Sequence, residues 1–82
     1  MYYTYLLKAN GLYKIGKSKN VSKRIKQLRT ASPDIKLIAY INIDIEKELH
    51  LILLPYKYKL EWYKLNNPDW VLEYFIDRKI NN

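Results

Sequence analysis

The chain has 82 residues, 49% of them apolar and 15% aromatic, which suits one small folded domain spanning residues 1–82 and leaves too little for a second core. With no cysteine and a single His, disulfides, thiolate metal sites and zinc sites built from several imidazoles are excluded, no His/Asp/Ser set for acyl transfer is in sight, and an intracellular location is expected. Fifteen Lys and Arg against eight acids give a net charge of +7, a balance that suits a polyanionic partner, although a solvated basic surface is the commoner source of such a surplus.

MYYTYLLKA lacks the charged start and long apolar core of a signal peptide, and the longest nearly apolar run, Leu49 to Pro55, is interrupted by His50, so no membrane association is expected. Next, Asn10-Gly11 between two apolar, aromatic-rich runs is a strong hairpin signal, because both residues tolerate the positive φ of a type I′ turn. A two-residue loop pairs Ala9 with Leu12, Leu7 with Lys14 and Tyr5 with Gly16. Tyr5, Leu7, Lys14 and Gly16 then share one face, and Thr4, Leu6, Tyr13 and Ile15 the other. A phenol and an ammonium thus lie beside a bare glycine that leaves room for a ligand.

Ser18 or Asn20 is placed to cap a helix running to about Ala31, with Val21, Ile25 and Leu28 as its buried stripe. Arg24 falls on the rim of that stripe, and Lys23 and Lys26 point away from it. A rim arginine whose stem covers apolar surface and whose head is solvated is the plainer reading. The density of charge argues for more: Lys14, Lys17, Lys19, Lys23, Arg24, Lys26 and Arg29 occur with no acid among them, and a phosphate backbone is the most economical partner for such a block.

Thr30 to Asp34 reads as a loop, with Ser32 kept extended by Pro33. Lys36 to Ile43 reads as a third strand, with Leu37, Ala39, Ile41 and Ile43 on one face, and its apolar residues on both faces suit a covered, central position. Asp44 is expected to cap a second helix that Pro55 ends, with Ile45, Leu49, Ile52 and Leu53 inward. Glu46 borders that stripe and His50 stacks one turn beyond it. Two readings of Glu46 stand: a surface carboxylate improving the first turn, or a ligand for a hard divalent cation in a pocket shared with Tyr5, Lys14 and Arg24. Tyr56 to Leu65 reads as irregular or briefly extended, with Trp62 packed. Asn67-Pro68 opens a last helix to about Ile80, with Trp70 or Val71, Tyr74, Phe75 and Arg78 as its stripe.

Several of these segments match one pattern. YTY-LL followed by YKIGKSKN-VSKR resembles the GIY-YIG nuclease superfamily, including an arginine eight residues after the motif's glycine, and EKELH and LEWY look like the E-K-x-L-H and E-W-F signatures of a small-domain branch. The resemblance covers roughly residues 3 to 63. It implies an α+β fold with a three-stranded antiparallel sheet flanked by helices, ordered ββαβα plus a C-terminal helix. It also implies a catalytic set of Tyr5, Lys14, Arg24 and Glu46 about Gly16. Two departures stand out: Tyr3-Thr4 replaces the first motif's Gly-Ile, and Lys14 takes the second motif's tyrosine position, with Tyr13 one place earlier on the opposite face.

On that resemblance the expected activity is metal-dependent hydrolysis of DNA, with RNA as an alternative. Glu46 holds one Mg²⁺ or Mn²⁺, Arg24 clamps the phosphate, Tyr5 is the general base, and His50 either receives or relays a proton or is a helix-face histidine hydrogen-bonded to Glu46. A free phenol keeps its proton to about pH 10, so a phenolate base needs a cation beside it, and Lys14 is the chain's own candidate. Lys17, Lys19, Lys23, Lys26 and Arg29 are expected as general phosphate contacts. The competing reading is a nucleic-acid-binding module on the same fold that does not cut. The chain is expected to act as a monomer or a homodimer.

Overall fold

Asn10 and Gly11 turn the chain at φ 53° and 76°, left-handed values that these two residues reach at little steric cost. The flanking strands, β1 (Tyr3–Ala9) and β2 (Leu12–Ser18), pair antiparallel from Ala9–Leu12 through Tyr5–Gly16 to Tyr3–Ser18, the register that the turn dictates. The structure, a computed structural model, describes residues 1–80.

Helix α1 (Val21–Ala31) is capped by Asn20, whose Oδ1 accepts the Lys23 backbone N–H at 3.1 Å. Ser18 braces the same turn by accepting the Asn20 N–H at 3.1 Å. The helix ends at Ala31, as its pattern predicts, so the loop expected from Thr30 begins only at Ser32. Val21 and Ile25 are buried and Leu28 half-buried, so the stripe is the one expected.

Strand β3 (Lys36–Ile41) departs from the expectation twice. Strand order is β3-β1-β2-β5-β4, so β3 lies at the sheet edge and β1 takes the central position among the first three strands. Leu6 pairs with Ala39 but Leu7 with Leu37, which leaves Ile38 as the extra residue of a β-bulge. The bulge reverses the alternation: Leu37 and Tyr40 share the face of Tyr5, while Ile38, Ala39, Ile41 and Ile43 pack on the other side. Both faces of β3 are apolar because each is met by a helix-bearing core.

Thr4 opens helix α2 (Glu46–Ile52). Its fully buried hydroxyl donates to Ile43 O at 2.7 Å and accepts the Ile45 N–H at 2.9 Å. Asp44, expected as the cap, pairs instead with Lys17 at 3.3 Å. Ile45, Leu49 and Leu53 are buried, whereas Ile52, expected inward, is 38% exposed; one residue per turn completes the seam of so short a helix. The chain leaves α2 through a 3-10 turn, Leu54–Tyr56, that contains Pro55.

Strands β4 (Lys57–Lys59) and β5 (Trp62–Tyr63) form a second hairpin. Strand β5 pairs with β2 at Tyr13–Tyr63 and Lys14–Trp62, so the antiparallel sheet has five strands where three were expected. Helix α3 (Asp69–Ile80) begins after Pro68, with the Asp69 N–H donating to Asn67 Oδ1 at 3.0 Å.

The sheet thus separates two cores. Tyr5, Leu7 and Ala9 pack with Val21, Ile25 and Ile35 under α1, while Leu6, Tyr13 and Ile15 pack with Leu49, Leu53, Val71 and Phe75 under α2 and α3. Truncating Leu6 or Leu49, both at zero exposure, to Ala costs about 2–5 kcal/mol. Among the described residues, no helix is long and apolar enough to cross a membrane.

Candidate functional site

Tyr5 is central to the site because of what it lies against. Its ring is buried and leans from β1 across its cross-strand partner Gly16, so closely that a Cβ at residue 16 would overlap the phenol tip. The glycine is therefore needed by the tyrosine. The Tyr5 hydroxyl has no hydrogen bond to a described residue, and no buried side-chain polar atom lacks a partner. That hydroxyl therefore opens to solvent over β2.

The outer edge of β2 at this point has no strand beside it. Strand β5 pairs only with Tyr13 and Lys14, leaving Ile15 to Ser18 uncovered. Helix α1 sends its basic residues down two flanks. Ser22, Lys26 and Arg29 line a groove with Leu37 and Tyr40 of β3. At about 100° per residue, Arg24 stands about 200° from Lys26, with Ile25 midway between them, and so belongs to the opposite flank, towards β2. Arg24 is exposed and makes no hydrogen bond or ion pair through its side chain among the described residues.

Glu46 and His50 approach from the other side of the sheet. They belong to α2, whose Ile45 and Leu49 lie in the core opposite Tyr5. The start of α2 is nevertheless held at the same end of the first hairpin, by Thr4 next to Tyr5 and by the Lys17–Asp44 pair next to Gly16. The set thus draws on both faces of the sheet, Tyr5 on the α1 side and Glu46 and His50 on the α2 side.

On the α2 side the geometry is specific. His50 Nδ1 meets the Tyr63 hydroxyl in a short hydrogen bond, and His50 Nε2 stands 3.9 Å from Glu46 Oε2. Burial raises the Tyr63 pKa above its ordinary value of 10.0, and the charges of Glu61 and Glu46 add to the shift. The raised value favours the protonated phenol, hydrogen-bonded to His50 Nδ1. Glu46 itself makes no hydrogen bond through its carboxylate among the described residues.

Lys14 shares the face of Tyr5, but its ammonium stands 3.5 Å from Glu61 and 5.7 Å from the Trp62 ring centroid. Tyr13 faces the opposite core, paired with Tyr63. Of the expected phosphate contacts, Lys23 and Lys26 are exposed, Lys17 and Lys19 approach the Tyr2 ring, and Arg29 Nε donates to Ile35 O at 3.0 Å. The Glu61-Trp62-Tyr63 run contributes three contacts that residue spacing did not assign. Its only signal was the LEWY motif, which carries no role by itself.

No curated protein and no solved structure matches the chain. The T5orf172 domain, related to the GIY-YIG-like nuclease and DNA-binding fold and associated with endonuclease-like proteins, matches residues 2–77, and the chain belongs to the T5orf172 domain family.

Proposed function

We propose that the protein is a single-domain, metal-dependent DNA endonuclease that hydrolyses a phosphodiester at the uncovered edge of β2. The observation that carries this reading is the Tyr5 phenol, buried along its ring yet presenting an unpartnered hydroxyl over Gly16. Packing alone needs only a phenyl ring there. A hydroxyl kept free of protein partners suits work on a ligand.

In this mechanism Tyr5 would act as the general base, taking the proton of the attacking water as the water oxygen bonds to phosphorus and the P–O3′ bond breaks. Arg24 donates to the non-bridging oxygens, where its fork matches phosphate geometry. His50, whose Nε2 stands 3.9 Å from Glu46, would orient that carboxylate and relay a solvent proton to the leaving oxygen, taking one up as it gives one away. Glu46 suits a hard cation because its oxygens accept no hydrogen bond among the described residues, and it would supply one carboxylate ligand to Mg²⁺. Among the described residues no cluster of three or more His, Asp and Glu forms, so Glu46 would serve as the one carboxylate ligand of Mg²⁺ or Mn²⁺. The bound cation supplies charge neutralisation at the phosphate.

One observation favours a binding module that does not cut: Lys14, in the position of the second motif's tyrosine, has its charge matched by Glu61 at 3.5 Å. Plasmid nicking with Mg²⁺, with Mn²⁺ and with chelator separates the two readings. The native chain is expected to nick only with metal. Tyr5→Phe, which keeps the ring over Gly16, is expected to nick about a hundredfold more slowly or worse, with an unchanged melting temperature. Full activity in Tyr5→Phe would remove the phenol from the chemistry. Binding without nicking in any metal would establish the module.

A further inference from the structure

On the β3 flank of α1 lies a groove of about 500 Å³ that the proposed cleavage chemistry does not use. Its volume is in the range of small-molecule sites. Tyr3 and Tyr40 form one wall, their ring centroids 5.9 Å apart and their planes at 63°, an edge-to-face pair. Tyr40 pairs with Tyr5 in the β1–β3 register, which sets it diagonal to Tyr3, and 57% of it is exposed. Tyr3 steadies that ring from one side, and the remaining surface is open to a stacking partner. Val21, Ile25 and Leu37 give the groove its aliphatic lining.

The rim has one sign of charge. Lys19, Lys26 and Arg29 line the groove and no carboxylate does. None of the three makes an ion pair among the described residues. Arg29 is held in place, since its Nε donates to Ile35 O at 3.0 Å, which leaves its terminal nitrogens to the groove. A flat aromatic wall inside a rim of unmatched cations is complementary to a flat, uncharged ring carried on a phosphate backbone.

We propose that this groove binds an unpaired nucleotide of the DNA strand, its base against Tyr40 and its flanking phosphates on Arg29, Lys26 and Lys19. Duplex DNA keeps its bases stacked within the helix, so the groove selects single-stranded, gapped or frayed substrate. The proposal rests on the nucleic-acid part of the function above and is independent of cleavage. Helix α1 then works on both flanks, with Arg24 serving the scissile phosphate and Lys26 and Arg29 holding the strand nearby.

Fluorescence anisotropy in chelator, with a labelled 12-mer single strand and the blunt duplex of the same sequence, tests this on the full chain. Tyr40→Ala is expected to weaken single-strand binding about tenfold while changing duplex binding less than about twofold. Tyr40→Phe, which keeps the stacking face, is expected to bind both like the native chain. Arg29→Gln is expected to weaken single-strand binding and flatten its salt dependence. If Tyr40→Ala changes neither affinity, or lowers both equally, the groove proposal is overturned and the nuclease reading stands. If the native chain binds neither oligonucleotide, both fall.

Discussion

Two carboxylates of α2, two residues apart, have opposite surroundings. Glu48 faces α3: it accepts the Tyr74 hydroxyl in a short hydrogen bond, and Arg78 Nη1 donates to both its oxygens at 2.8 and 2.6 Å. Glu46 faces the β2–β5 side, accepts no hydrogen bond among the described residues and stands 3.9 Å from His50 Nε2. Glu48, the better bonded, is also the more accessible, 37% against 20%, so burial does not account for the difference between them. Hydrogen bonding does. Glu48, with its acceptor sites filled, ties α2 to α3, and the Glu46 carboxylate accepts no hydrogen bond among the described residues.

The largest expected effect is on chemistry. Glu46→Ala should slow metal-dependent nicking by about a hundredfold or more, with little change in melting temperature, because no hydrogen bond is lost. Glu48→Ala should do the reverse. It leaves Tyr74 and Arg78 without their acceptor and is expected to lower stability by about 1–2 kcal/mol, discounted for partial exposure, read as a melting-temperature fall of about 4–16 °C. Nicking per folded molecule should stay unchanged. If Glu48→Ala abolished cleavage in folded protein, the division between the two acids would be wrong.

Gly16→Ala tests the neighbouring surface. The new methyl must displace the Tyr5 ring, so a cost of about 1–3 kcal/mol is expected. The double variant Gly16→Ala with Tyr5→Ala should melt no lower than Tyr5→Ala alone. Strict additivity of the two losses would show that the residues are not in contact.

The smallest effect concerns pH. Tyr63 and Tyr74 both have pKa values raised above 10.0, first by burial; Glu61 and Glu46 then add to the shift of Tyr63 and Glu48 to that of Tyr74, with Arg78 opposing. The folded chain therefore prefers the protonated phenols. Their contribution to stability is whole below about pH 10 and is lost as pH rises through the raised values. Thermal melts from about pH 9 upward should fall more steeply for the native chain than for Tyr63→Phe/Tyr74→Phe.

What the sequence made legible was mainly local. The first hairpin's register followed from Asn10-Gly11, and Asn20 was visible as a cap for α1, because a turn and a cap are decided within a few residues. The β3 bulge was hidden because Leu37 to Ile41 offers apolar residues to either face, so no side chain marks the slip at Ile38. Asp44 looked like the α2 cap by position, but Thr4, 41 residues before Ile45, supplies that bond. The second hairpin lacked a turn signal, since Leu60 takes φ 53° where Gly or Asn would announce it. Within the candidate site, Tyr5 beside Gly16 was readable from the hairpin alone. The different fates of Glu46 and Glu48 were not, because they depend on Tyr63, Tyr74 and Arg78, which lie 13 to 30 residues downstream of their partners.

The most direct test of the edge site is the nicking rate of supercoiled plasmid in Mg²⁺ for the native chain, Glu46→Ala and Glu48→Ala at matched folded concentration. The site described here predicts metal-dependent nicking by the native chain and by Glu48→Ala, and its loss in Glu46→Ala. Equal nicking by Glu46→Ala and the native chain would contradict it.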